Sequence, residues 1–315
     1  MSSQNSPPPK GPQSLKNPPI NGPFDRALVR ARRSRWRQTG HEADFLFADI
    51  VGGLEDRLLD VNRRFSRVLI IGQRPSFRMP RHRLDSGAMV VAADMAPALI
   101  PGAAKRGGKP ALVCDEEALP FAGASFDLVV WADGLHHTND VPGALAQMRR
   151  ALVPDGFFIA AFPGGDSLLT LRAACLRVDA GRGQTPMRLH PTIDVRDAGA
   201  LLQRAGFSLP VADVDKLALS YQSPLRLLTD LRAMGESLAL AARAPGLLTP
   251  QWCQALDIAY RREVGIAEGP VPATFDIIYA SGWAPSASQP KPLRRGSGTV
   301  SLADVLSPKD ADEGE

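Results

Sequence analysis

The chain is poor in the features that would mark several large classes of protein. Its three cysteines, Cys114, Cys175 and Cys253, are far apart and form no Cys-x-x-Cys pair, which excludes a disulfide scaffold and fits reduced thiols in a reducing compartment. The five histidines show no His-x-Asp/Glu, HExxH or similar spacing, so sequence spacing alone puts no two ligands on one metal and no metal is expected. No stretch approaches the roughly 18 apolar residues that span a bilayer, and the N-terminus lacks the apolar segment of a secretory signal. Before Arg26 the only cations are Lys10 and Lys16, too few for an Arg-rich transit peptide. The expectation is a soluble, cytoplasmic protein of bacterial type.

Acid is scarce at the start of the chain. Lys10, Lys16, Arg26, Arg30, Arg32, Arg33, Arg35 and Arg37 face only Asp25, a net +7, so the remainder carries −3 of the total of +4. A basic helix from Phe24 to Arg37 would suit nucleic acid, anionic lipid or an acidic protein surface. The other reading is a solvated helix packed by Phe24, Leu28 and Trp36, and a nucleic-acid partner has no further support.

What is present suffices for one large domain. With 44% hydrophobic and 22% charged residues, about 250 residues can enclose a single α/β core. Residues 1–23 are rich in proline and almost free of apolar side chains, so they are expected to be a disordered tail. Residues 24–285 form the expected domain, and from 286 to 315 the composition returns to that of a flexible tail.

Inside the domain, Phe47, Ile50, Val51, Leu54, Leu58 and Val61 recur at helical intervals. Short apolar runs at Val68–Ile71, Met89–Ala93, Ala111–Cys114 and Phe126–Trp131 predict buried parallel strands. A helix over Pro142–Leu152 is followed by a Pro154-Asp155-Gly156 turn and a strand at Phe157–Phe162. Further on come a helix Val195–Ala205 closed by Gly206, a strand Val211–Leu219 and a last strand Thr274–Trp283. Ser223-Pro224 and Thr249-Pro250 each pair an N-cap with proline at the first helical position, predicting a helical insertion over 223–262 before the last strand. Strands that alternate with helices demand a mostly parallel sheet with helices on both faces, an α/β fold that binds ligands at the carboxyl ends of its strands.

That geometry selects candidates. Gly72 ends the first strand, where a backbone turn can approach a nucleotide, and Asp94 ends the second, where a carboxylate can accept ribose hydroxyls. Asp115 stands after the third strand, in place to accept an adenine amino group. Each acid has a plainer reading: Asp94 as a helix cap, Asp115 in a solvated loop.

The order of segments resembles the class I methyltransferases: RVLIIG, VVAAD, CDEEALPF, FDLVVWADGLHH and LVPDGFFIAAF. The resemblance implies S-adenosylmethionine as cofactor, held by Gly72, Asp94, Asp115 and Glu116, with Met95 beside the adenine and Trp131 on the pocket floor. The family's Gly-x-Gly-x-Gly turn is altered, since Gly72 is followed by Gln73, Arg74, Pro75, Ser76 and Phe77. Longer segments, FDRALVRARRSRW, AFPGGDSLLTLRAA, DVRDAGALLQRAGF, LTDLRAMGESLAL, GPVPATFDIIYASGW and RRGSGTVSL, are similar to the respiratory complex I assembly factor five family. That family is described as protein-arginine hydroxylases with a methyltransferase fold, which implies a protein substrate, an iron-sulfur subunit of complex I. In this reading Asp166 and Glu236 line the cleft and pair with a substrate guanidinium, or else they are a helix cap and a surface charge. Related alternatives are an O-methyltransferase of carrier-bound carboxylates in the biotin pathway, and a non-catalytic assembly chaperone. No catalytic residue follows from the sequence. His136 and His137 sit after the fourth strand, where a base would stand, and His190 has no evident partner.

Overall fold

In the computed structural model, the described residues are 22–39, 44–72, 79–100, 110–183, 186–243 and 248–290. Residues 1–21, the altered turn at 73–77, the segment from 291 onward, and the side chains of Trp36 and Arg37 lie outside them. The described residues up to Pro285 form one compact unit.

Among the described residues the α-helices and strands are, in chain order, α1 (Arg26–Thr39), α2 (Phe45–Asp60), β1 (Phe65–Ile71), β2 (Leu84–Asp94), β3 (Ala111–Val113), β4 (Phe126–Ala132), α3 (Val141–Ala151), β5 (Leu152–Gly164), α4 (Leu169–Ala180), α5 (Val195–Arg204), β6 (Ser208–Tyr221), α6 (Pro224–Met234), α7 (Pro250–Val264) and β7 (Val271–Trp283). They build a seven-stranded sheet of order β3-β2-β1-β4-β5-β7-β6. Strands β1 to β5 pair in parallel, and β7 runs antiparallel to both β5 and β6. This is the mostly parallel Rossmann-like sheet of a class I methyltransferase.

The central strands are apolar on both faces because helices cover both. Val68, Ile70, Leu128 and Val130 pack under α2, α4, α6 and α7, while Leu69, Ile71, Val129 and Trp131 pack under α3 and α5. A side-chain period of two sends alternate residues of one strand into the two layers. The insertion lies between β6 and β7, as expected, and its caps form: Ser223 Oγ accepts from the Arg226 amide and Thr249 Oγ1 from the Trp252 amide. A buried carboxylate joins α4 to α7. Asp179 accepts from Arg188 Nε and Nη2 at 2.8 and 2.9 Å and from Trp252 Nε1 at 2.8 Å.

Two segments differ from expectation. The Pro154-Asp155-Gly156 turn lies inside β5 as an irregularity, with Asp155 at φ +63° and the β4 register slipping between Phe126 and Leu128. The strand pairs before and after it, as a bulge allows. Helix α4 was not anticipated, although Leu171, Ala174, Cys175 and Val178 are all buried at helical spacing.

Candidate functional site

The carboxyl ends of β1, β2, β3 and β4 converge on one edge of the sheet, and α1 lies against it. Gly72, directly after β1, takes φ +77°; a Cβ there would stand 1.9 Å from the Ala132 carbonyl. The neighbouring strand end therefore demands glycine at this point whether or not a ligand approaches.

Asp94 closes β2 and is 2% exposed. One carboxylate oxygen accepts from the Ala96 amide at 2.7 Å, and the other accepts from Arg33 Nη2 at 2.8 Å. Arg33, 5% exposed, reaches down from α1 and also contacts Asp133 Oδ2 at 3.4 Å. Burial alone would lower the Arg33 pKa, but Asp94 and Asp133 outweigh it and raise it. Asp133 itself adopts φ +63°, an uncommon conformation for a residue other than glycine.

About two helical turns earlier in α1, Arg26 covers the second group of acids. Its Nη2 lies 2.6 Å from Asp115 and 2.8 Å from Glu116, and its Nη1 donates to the His137 carbonyl at 2.7 Å. Burial raises the Glu116 pKa despite the nearby guanidinium groups of Arg26 and Arg33. Arg32 donates to the carbonyls of Ser237 and Leu238, which ties α1 to the end of α6. Met95 packs with Phe24, Val29 and Ala239 in a small apolar cluster. Trp131 is fully buried in the layer facing α3 and α5.

Three arginines of the basic helix thus point inward, onto acids and carbonyls of the same chain. The residues expected at a nucleoside pocket lie at or beside the carboxyl ends of β1 to β4. Their carboxylates are held by α1.

Beside this set lies a histidine cluster that the spacing rules had passed over. Gly134, at φ +117°, opens a 3₁₀ turn after β4 that buries His136 and His137. His136 Nε2 stands 2.9 Å from Glu236 Oε2, His137 Nε2 stands 3.5 Å from the same oxygen, and His137 Nε2 and His190 Nδ1 are 3.0 Å apart. The Ala239 amide donates to His190 Nε2 at 2.7 Å. Burial lowers the pKa of His137 well below the ordinary value, and burial together with the neighbouring His136 lowers that of His190 to about 3. Burial also acts against charge on His136, but Glu236 and Asp133 outweigh it and raise its pKa.

Glu236 owes its place to the end of α6. Gly235 at φ +93° ends the helix and the Glu236 amide donates back to the Leu231 carbonyl at 2.8 Å, a left-handed helix stop that aims the following side chain. Glu236, His136 and His190, with Ser167, Arg172 and Thr192, line a cavity of about 50 Å³. Asp166 is exposed on the turn after β5 and is not among the cavity-lining residues. Of the two acids expected to meet a substrate guanidinium, Glu236 faces the histidines and Asp166 faces solvent.

A family model described as a methyltransferase domain matches residues 77–160. The chain is 35% identical to the mitochondrial arginine-hydroxylase NDUFAF5 of Danio rerio, over 90% of this chain and 89% of that protein. It belongs to the arginine-hydroxylase NDUFAF5 family. It is also 32% identical to the malonyl-[acyl-carrier protein] O-methyltransferase of Laribacter hongkongensis, over 86% of this chain and 94% of that protein. A crystal structure of a putative methyltransferase from Bacillus halodurans covers 74% of this chain with 98% of its own length, at a TM-score of 0.50 and 13% identity, in keeping with the fold. Among the described residues, no helix of this family member is long and apolar enough to cross a membrane.

Proposed function

We propose that this chain binds S-adenosylmethionine at the edge formed by Gly72, Asp94, Met95, Asp115, Glu116 and Trp131, and modifies an arginine of a protein substrate. The substrate in this reading is an iron-sulfur subunit of respiratory complex I, and the compartment is the cytoplasm of a bacterial-type cell. The observation that carries the proposal is Asp94. It is a buried carboxylate at the carboxyl end of β2, placed where a nucleoside-binding sheet presents its ribose acceptor, in a chain related to an arginine-hydroxylase along nine-tenths of its length.

When bound, the cofactor supplies an electrophilic methyl group on sulfur. The chain's own residues do the holding. Asp94 accepts the ribose hydroxyls, Asp115 and Glu116 accept the adenine amino group, Met95 packs against the base and Trp131 closes the floor. All of this requires Arg33 and Arg26 to release their acids, so cofactor entry is coupled to movement of α1. Asp166, exposed on the turn after β5, remains open to solvent for a substrate guanidinium.

Calorimetric titration of the full chain with S-adenosylmethionine tests this, beside Asp94→Ala. The expected result is micromolar binding that the substitution abolishes. A well-folded protein that takes up no cofactor would overturn the reading in favour of an assembly chaperone whose acids serve only to hold α1. The second reading, O-methylation of a carrier-bound carboxylate, is favoured by the 32% identity to the Laribacter enzyme. Turnover of a carrier-linked malonyl substrate at a useful rate would put it first.

A further inference from the structure

The histidine cluster has more lone pairs and protons than its own hydrogen bonds can use. The Ala239 amide donates to His190 Nε2, so neutral His190 carries its proton on Nδ1 and donates it to His137 Nε2. His137 then carries its proton on Nδ1, which is buried and has no hydrogen-bond partner among the described residues. His136 gives its Nε2 proton to Glu236, and its Nδ1 is likewise buried without a hydrogen bond, the Asp133 carboxylate standing 3.8 Å away. Buried ring nitrogens left in this way are uncommon and each costs about 1–3 kcal/mol.

We propose that His136, His137 and Glu236 form a site for a divalent transition-metal ion, with His190 as a supporting donor. The ligand atoms of all four residues lie within 4.8 Å of one another, so one ion can reach three of them with small side-chain adjustments. Two imidazoles and a carboxylate, with the remaining positions open, suit first-row ions such as Fe(II), Mn(II), Co(II) or Zn(II). Here the open side is the cavity bounded by Ser167, Arg172 and Thr192.

The ion would repair the mismatch at His136 and leave the His137 Nδ1 proton where it is. With the cation at His136 Nε2, the ring proton moves to Nδ1 and faces Asp133, giving the carboxylate-histidine-metal arrangement that orients and strengthens metal-bound histidines. Arg33 on the other oxygen of Asp133 holds that carboxylate in place. Once His137 Nε2 turns to the ion, His190 keeps its Nδ1 proton, because Ala239 still occupies its Nε2. His190 is therefore a hydrogen-bond donor to an oxygen carried by the ion and not a fourth ligand. This gives Glu236 a partner other than a substrate guanidinium, and it goes beyond the nucleoside reading, which uses none of these three ligands.

The test is titration of the full chain, freed of metal by chelator, with Co(II) as the probe. The expected outcome is one equivalent bound, with visible bands of four- or five-coordinate cobalt that Zn(II) displaces. Glu236→Gln and His137→Ala should each weaken binding by more than about tenfold. Asp133→Asn, which touches no ion, should weaken it by about 10- to 100-fold, the size of other outer-shell effects. Near-ultraviolet circular dichroism of each variant reports whether it remains folded, and the wild-type spectrum does not depend on the variants folding. Absence of bound cobalt in the folded wild type would overturn the proposal. So would thiolate-to-cobalt bands, or binding that survives both Glu236→Gln and His137→Ala in folded protein. Neither outcome bears on whether S-adenosylmethionine binds at Asp94.

Discussion

Two clusters of ionisable side chains meet at the carboxyl ends of the same four strands, and they are finished to different degrees. At the ends of β2 and β3 the acids Asp94, Asp115 and Glu116 each have an arginine of α1 at 2.6–2.8 Å. At the end of β4 two buried histidine nitrogens have no hydrogen bond among the described residues. A saturated cluster gives stability and must be opened before it can bind anything. An unsaturated one has already paid its desolvation and gains from whatever completes it. The N-terminal helix is therefore part of the architecture of the first cluster, while the second is the one that a bound cation would stabilise under the proposal above.

The largest effect should come from breaking the saturated side. Arg33→Ala leaves Asp94 and Asp133 facing each other's neighbourhood in a dry site, and the loss expected is about 3–5 kcal/mol of folding stability, as when one partner of a buried pair is removed. Urea denaturation measures it. A loss under about 1 kcal/mol would mean that water enters once the guanidinium is gone, and the contrast between the clusters would fail.

How much of this contrast could be seen in the sequence depends on whether partners share an element. Apolar runs such as Val68–Ile71 and Phe126–Trp131 declared the central strands, because a strand buried on both faces has little choice of residue. Ser223-Pro224 and Thr249-Pro250 declared two helix starts, because cap and proline act within one turn. Asp94 and Asp115 were singled out by their place after strands, and Glu116 by the family resemblance. Their partners were not, since Arg33 meets Asp94 across 61 residues and Arg26 meets Asp115 across 89. A run of arginines shows charge and not where the charge is satisfied. The histidine cluster was hidden for the same reason: His137 meets His190 across 53 residues and His136 meets Glu236 across 100. Spacing rules detect ligands on one helix or hairpin, and these come from three separate turns. Gly72 was read for a ligand's approach, and the structure adds a second demand on it from the Ala132 carbonyl.

A smaller effect, visible as pH dependence, sharpens the saturated side. Burial raises the Glu116 pKa above its ordinary value of about 4.5, and Arg26 works against that rise. A carboxyl group with a raised folded pKa binds protons better folded than unfolded, so stability falls as pH rises from about 4.5 through the folded pKa. Arg26→Ala removes the offsetting cation, so the fall should continue to higher pH than in the wild type. Glu116→Gln should flatten it. Urea midpoints followed from acid to neutral pH check this, and identical slopes in wild type and Arg26→Ala would show that Arg26 does not govern Glu116.

The smallest effect separates stability from site geometry on the unsaturated side. Ser223 caps α6 at its first turn with a long 3.3 Å hydrogen bond, whereas Gly235 and the Leu231 carbonyl fix Glu236 at the other end. Loss of an N-cap frays the first turn and costs about 0.5–1 kcal/mol for so long a bond, but a fray at Ser223 does not propagate along α6 to Glu236 while Leu227 and Leu231 stay buried. Ser223→Ala should therefore lower the unfolding midpoint slightly and leave cobalt affinity unchanged. If affinity falls along with stability, Glu236 is positioned by the helix as a whole and not by its left-handed stop.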